Sequence, residues 1–181
     1  WEFDGNEIKN LKNSAVRSPQ YFFKKHVSWN LINSKGSAFR LFDKGFILDT
    51  ASNCTYSDDD SDLLYLLGLY NSSVSTLILN LLNPTINLSC GVVDKLPFIK
   101  KSIDLSVVKS NVKIAKLFWN FRETSWDFEH SPILNEANSL EHSYQTWQEQ
   151  VTKDYFQLHT NEEALNRIFI DIYGLQEELT P

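Results

Sequence analysis

Between Asp62 and Asp94 the chain carries no charged side chain, and the run LLYLLGLYNSSVSTLILNLL (residues 63–82) is apolar at most positions. Surface that apolar leaves water. The pattern predicts a buried helix over residues 63–82, ended by Pro84, which has no amide proton with which to continue it. Such a run is also long enough to cross a bilayer. Against a span, Asn71, Ser72, Ser73, Ser75, Thr76 and Asn80 put polarity at its middle and far end, where lipid offers no partners. No basic cluster flanks either end as a topology signal.

On either side the periodicity changes. Residues 1–20 are polar and aperiodic, an entry segment. From residue 21 to 56, Ser28-Trp29-Asn30-Leu31-Ile32, Ser37-Ala38-Phe39-Arg40-Leu41-Phe42 and Gly45-Phe46-Ile47-Leu48-Asp49 are short aromatic or β-branched runs separated by Lys35-Gly36 and Asp43-Lys44-Gly45. They predict an antiparallel meander. Strand side chains alternate, so Arg40 faces away from Phe39 and Leu41, on the wetter side. Ser57-Asp58-Asp59-Asp60-Ser61-Asp62 reads as the cap and acidic first turn of the apolar helix. A calcium loop is the rival, and it lacks the twelve-residue spacing and final glutamate of the helix-loop-helix site.

Beyond Phe98, Leu105, Val108, Val112, Ala115 and Trp119 share one face of a helix predicted over 104–120, with Lys109, Lys113 and Lys116 as a basic ridge on another. Ser131-Pro132 starts a longer helix in which Ala137, Leu140, Tyr144, Trp147, Val151, Tyr155 and Leu158 recur as a seam. Asn161-Glu162-Glu163 caps a final helix with Leu165, Ile168, Phe169 and Ile172 inward, stopped by Gly174. The predicted fold class is α+β: a small antiparallel sheet packed on a buried helix, followed by a C-terminal helical hairpin. The predicted divisions are 1–20, 21–103 and 104–181.

The chain's 181 residues suffice for one core. Net charge is -6, unevenly spread. Residues 1–56 carry a net +3 and residues 95–122 a net +6, whereas residues 123–181 carry a net -10. That asymmetry suits a polyanion on one face, and equally suits ordinary solvated surfaces. Two cysteines, Cys54 and Cys90, make no disulfide framework and have no metal-ligand spacing, which predicts a reducing cytoplasm. A start at Trp1 with no methionine predicts a piece of a longer protein.

Candidate chemistry is sparse. Six glycines, no two closer than nine residues, give no phosphate loop or dinucleotide fingerprint. His26, His130, His142 and His159 make no zinc spacing. Asp58, Asp59 and Asp60 are consecutive acids with no reason for a raised pKa.

Two sets of residues resemble known families. Ser28-Trp29-Asn30-Leu31-Ile32, Phe39-Arg40, Gly45-Phe46-Ile47-Leu48-Asp49, Leu67-Gly68-Leu69-Tyr70-Asn71-Ser72, Asn83-Pro84-Thr85 and Leu96-Pro97 resemble, in order and spacing, the TaqI-like specificity domain. Thr124-Ser125-Trp126-Asp127-Phe128, Asn161-Glu162-Glu163 and the run from Asn166 through Tyr173-Gly174-Leu175 are similar to the large adenine-specific methyltransferases of BREX phage defence and type IIG restriction enzymes. The resemblance implies a parent that binds S-adenosylmethionine in an upstream catalytic domain and methylates an adenine flipped from duplex DNA. The family's Asn-Pro-Pro-aromatic motif has no counterpart: Asn83-Pro84-Thr85 lacks the second proline and the aromatic. What the resemblance implies for this chain is therefore DNA target recognition without a cofactor or catalytic residue of its own, for a cytoplasmic restriction-modification or defence enzyme. Its partners would be double-stranded DNA, the upstream domain and defence subunits, with no membrane.

For base reading the candidates are Asn33, Ser34, Lys35, Ser37 and Arg40, because arginine or lysine addresses guanine and asparagine addresses adenine. For phosphates they are Lys24, Lys25, Lys109, Lys113 and Lys116. The rival function is a protein-interaction module, in which the aromatic seam of the tail docks a partner subunit.

Overall fold

The computed structural model describes all residues except 34, 35, 37 and 135–138. In chain order the elements are α1 (Asn6–Asn10), β1 (His26–Asn30), β2 (Arg40–Phe42), β3 (Ser52–Tyr56), α2 (Asp60–Tyr70), α3 (Ser73–Leu82), α4 (Cys90–Val93), α5 (Ser106–Asn120) and α6 (Leu140–Tyr173). Short 3-10 turns lie at Glu2–Gly5, Pro19–Tyr21 and Pro132–Leu134. The class is α+β, as the pattern predicts.

α2 forms because Asp59 caps it, its carboxylate accepting the Ser61 amide at 2.8 Å, and Asp60 and Asp62 complement its first turn. Every residue from Leu63 to Tyr70 except Leu66 is buried. Leu63 and Leu69 are fully so, each stabilising the fold by roughly 1.5–3 kcal/mol. Gly68 permits the closest approach: a Cβ there would lie 3.1 Å from Val108 of α5 and 3.4 Å from Phe169 of α6. One core therefore joins the sheet, α2 and both long helices.

The sheet order is β2-β1-β3, all antiparallel. Val27 faces Leu41 and Thr55 across the ladders, and Ser28 faces Arg40 and Cys54. Inward, the Trp29, Phe39 and Tyr70 rings meet at 4.8–6.4 Å. The Trp29 indole N–H donates to the Leu88 carbonyl at 2.9 Å, so its polar atom is satisfied in the core.

Several elements differ from their prediction. The apolar stretch is two helices, bent by 71°, because Asn71 and Ser72 stop one and start the next. The Asn71 amide donates to the Leu67 carbonyl, and Ser72 Oγ accepts the Ser75 amide while donating to Leu69 O. Among the described residues no single helix is long and apolar enough to cross a membrane.

The third strand is Ser52–Tyr56, and the run 45–49 is a loop. Gly45 turns the chain at φ 113° and Phe46 O accepts the Phe23 amide, so the chain crosses to the far side of β1 before pairing. The tail is one unbroken helix of 34 residues. Asn161, read as a cap, lies inside it, and its amide donates to Ser110 Oγ and Asn111 Oδ1 of α5. Helix α5 is turned toward Val108 and Ile114, leaving Ala115 and Trp119 exposed. Of the predicted seam, Leu140, Tyr144 and Tyr155 are exposed, and Ala137 lies outside the described residues. Gly174 ends α6 in the left-handed conformation, as predicted, with Leu175 N–H bonded to Ile170 O.

Candidate nucleic-acid interface

β2 is an edge strand of three residues, too short to hold itself by ladder bonds alone. Its position is set one residue earlier. Phe39 is 1% exposed, and its backbone is gripped by Asn71: the Phe39 amide donates to Asn71 Oδ1, and Asn71 Nδ2 donates to Phe39 O, both at 3.1 Å. An asparagine side chain here pairs as a neighbouring strand would. Because side chains alternate, the inward Phe39 forces Arg40 outward. Arg40 is exposed, with Nη1 donating to Phe39 O at 3.2 Å.

Asn33 lies at the opposite end of the loop between β1 and β2. Its amide donates to Asn30 O at 2.7 Å and its backbone N–H to Ile86 O at 2.8 Å, so its side chain is already committed to a turn. Ser34, Lys35 and Ser37 lie outside the described residues.

Lys109, Lys113 and Lys116 are exposed along α5. Lys116 bonds Asp43, directly after β2, and Trp126, just beyond α5, stacks on Phe46 at 6.1 Å with planes 18° apart. Two contacts therefore hold the C-terminal end of α5 beside the β2 edge. The Lys116 end of the basic ridge thus lies beside the residue that follows β2. Lys24 sits elsewhere, 4.6 Å over the Tyr56 ring. Lys25 is bound to Asp60 at 2.7 Å, anchoring the start of α2. Among the described residues Arg40, Lys109 and Lys113 form no ion pair, so their charge is available to a ligand.

Near the acidic run, hydrogen bonding to Asp62 raises the pKa of Lys100 above the ordinary lysine value. The amide and hydroxyl of Ser61 lower that of Asp59. These acids are occupied by caps and pairs. Burial raises the Cys54 thiol, which makes it a poor nucleophile. Among the described residues no group of three or more His, Cys, Asp and Glu could hold a metal ion. What the surface offers, among the described residues, is exposed cations without ion-pair partners, an edge strand and rings.

Three contributors were missed in the sequence. Asn71 carried a visible signal, since asparagine is a favoured helix terminator, but its grip on Phe39 spans 32 positions. Phe46 and Trp126 gave no local signal: their pairing depends on where α5 comes to rest.

No family model matches the chain. Over its whole length, however, it aligns with part of the adenine-specific methyltransferase PglX of Lacticaseibacillus casei (strain Zhang). The two are 33% identical over 198 residues, covering 100% of this chain and 16% of that protein. It is similarly 30% identical over 183 residues to the adenine-specific methyltransferase BrxX of Escherichia coli O9:H4 (strain HS), covering 99% of this chain and 15% of that protein. The chain spans about one sixth of the length of these relatives.

Proposed function

We propose that this chain is the DNA target-recognition part of an adenine-specific DNA methyltransferase of the BREX or restriction-modification kind. It chooses the site while an upstream domain of the same parent binds S-adenosylmethionine and methylates the base. The observation that carries the reading is the exposed Arg40 on a clamped edge strand, with the α5 lysines held alongside by the Lys116–Asp43 bond. Full-length alignment with segments of two proteins named as adenine-specific methyltransferases supports the enzyme class.

The chain's own residues do not suit the cofactor. Its glycines are never closer than nine residues, and Asn83, after α3, spends its amide on the Asn87 carbonyl at 2.7 Å. In this reading residues 1–20 lead in, 21–103 read the target and 104–181 brace it. Arg40 addresses a base edge, Lys109 and Lys113 neutralise phosphates, and Lys116, held by Asp43, is a weaker phosphate candidate. Lys24 is a second phosphate candidate; Lys25, held by Asp60, is a weaker one.

Binding selection over randomised duplexes with the full-length parent tests this. Arg40→Ala relaxes the choice at one position, by about 1–3 kcal/mol for the lost bidentate contact. Neutralising Lys109 and Lys113 together lowers the slope of log affinity on log salt by up to about two. Unchanged sequence choice and an unchanged slope would together sink the reading.

One observation favours a second reading. Tyr144, Tyr155 and Phe156 stand exposed on the N-terminal half of α6, as a surface for a partner protein would. Replacing Tyr155 and Phe156 by lysine in the parent separates the two: loss of complex formation with target choice intact assigns that surface to a partner.

A further inference from the structure

Trp126 is 91% exposed, yet it does not hang on a loose loop. The turn that carries it is closed by Ser125 N–H to Arg122 O at 2.8 Å and Phe128 N–H to Ser125 O at 3.2 Å. Ser125 is itself buried, its hydroxyl donating to Asn120 Oδ1 at 2.9 Å and accepting the Asp127 amide. The indole is backed by a file of rings. His26 stacks on Phe42 at 5.4 Å, Phe42 meets Phe46 edge-on at 5.3 Å, and Phe46 lies under Trp126 at 6.1 Å. Gly45 and Phe46 are in turn pinned to Phe23 by one backbone hydrogen bond each, Gly45 N–H to Phe23 O and Phe23 N–H to Phe46 O.

Covering a ring this exposed is favourable, and a backbone turn already held by hydrogen bonds lowers the entropic cost of doing so. The file passes through Phe42, two residues from Arg40 and on the same side of β2, since strand side chains alternate. Lys116 is bonded to Asp43, three residues before Phe46, and Arg122, four residues before Trp126, lies 5.5 Å over the Trp119 ring. An open aromatic face continuous with the Arg40 side of the sheet suits a nucleic acid base, which stacks on the ring while cations elsewhere on the surface take the phosphates. Glu123 and Asp127, three residues before and one residue after Trp126, put acidic groups in the same turn, which disfavours phosphate there and suits an uncharged base face.

Building on the target-recognition reading above, we infer that Trp126 is a stacking residue. When the parent engages duplex DNA, the indole packs on a base unstacked next to the position read by Arg40 and holds the local distortion open. This gives the surface a second, shape-dependent source of specificity beside base-edge contacts.

Duplexes of the selected target, each with 2-aminopurine at one position, test the inference with the full-length parent. The unaltered protein brightens or quenches one position near that read by Arg40. Trp126→Ala removes that signal and weakens target binding about tenfold, whereas Trp126→Phe keeps most of both. In a separate arm, Trp126→Cys is alkylated readily in the free parent and protected by target DNA, with the modified residue identified by mass spectrometry. A thiol closed to the reagent before DNA is added overturns the inference, because another part of the parent then covers the site. So does a Trp126→Ala protein with unchanged affinity and unchanged 2-aminopurine response. The two readings fail separately. Loss of sequence choice on Arg40→Ala with no effect of Trp126→Ala removes the stacking role alone. If neither variant alters binding and neutralising Lys109 and Lys113 leaves the salt slope unchanged, target recognition itself falls.

Discussion

Replacing Asn71 by alanine cuts three hydrogen bonds at once: from the Phe39 amide to Oδ1, and from Nδ2 to the Phe39 and Leu67 carbonyls. A typical intramolecular hydrogen bond contributes about 1 kcal/mol net, and a buried group left unpaired costs about 1–3 kcal/mol. Asn71 is itself on the surface, so water reaches part of the vacated site and the full sum is not lost. About 2 kcal/mol is the expected local cost, concentrated on Phe39 and the strand that follows. Every 1.4 kcal/mol is a factor of ten, so backbone amides of residues 39–42 should exchange roughly 30-fold faster wherever local opening governs exchange. Hydrogen exchange read by mass spectrometry on the full-length parent resolves that peptide from the rest. Asn71→Asp is the companion variant: it keeps an acceptor for the Phe39 amide but turns a carboxylate toward two carbonyls, so it should loosen the same peptide at least as much. Unchanged exchange over 39–42 in both variants would refute the claim that this side chain positions the edge strand.

Four other outcomes follow from the geometry. Gly68→Leu places a branched side chain where even a Cβ meets Val108 at 3.1 Å and Phe169 at 3.4 Å; overpacking costs about 1–3 kcal/mol or more, seen as a lower urea midpoint. Trp29→Phe removes the indole bonded to Leu88 O, but that carbonyl keeps the Asn53 amide at 3.0 Å, so the loss is mainly one of packing, about 1–2 kcal/mol by the same measurement. Asp59 has its pKa lowered by bonding to Ser61, so its contribution is present above the ordinary aspartate value and is lost as pH falls through the folded value; acid titration of Asp59→Asn should lack that loss. Asp43→Ser frees Lys116 from its partner, so if the α5 ridge meets phosphate, DNA affinity at low salt rises and the salt slope steepens by up to about one.

The burial of residues 63–70, the cap at Asp59, the stop at Gly174 and the outward Arg40 were legible because each depends on near neighbours: an apolar run, an acid before a helix, a glycine after one, an alternation of side chains. What was not legible depends on distant ones. The polar residues that argued against a membrane span, Asn71, Ser72, Ser75 and Thr76, also make the bend, since each bonds a carbonyl of the preceding turn. Composition showed their polarity but not that it would be spent on a corner. The strand order failed for a related reason. Phe46-Ile47-Leu48 has the right residue types for a strand, but Phe46 is held by Phe23 and the Trp126 indole, and Ser52–Tyr56 takes the place on β1.

The same long-range contacts decide how the edge can serve recognition. A short edge strand is ordinarily the least constrained part of a sheet, and a reading residue on such a strand would lose discrimination to motion. Here the constraint comes from outside the sheet. Asn71 grips the residue before β2, Phe39 packs its ring on Tyr70 at 4.8 Å, and Asp43 and Phe46 fasten the residues after it to Lys116 and Trp126. The grip on one side comes from the corner between α2 and α3, and on the other from the end of α5. Stability of the charge-free core and precision of the exposed edge are thereby coupled, so, if this edge reads DNA as proposed, core substitutions near Tyr70 blur target choice before they unfold the chain.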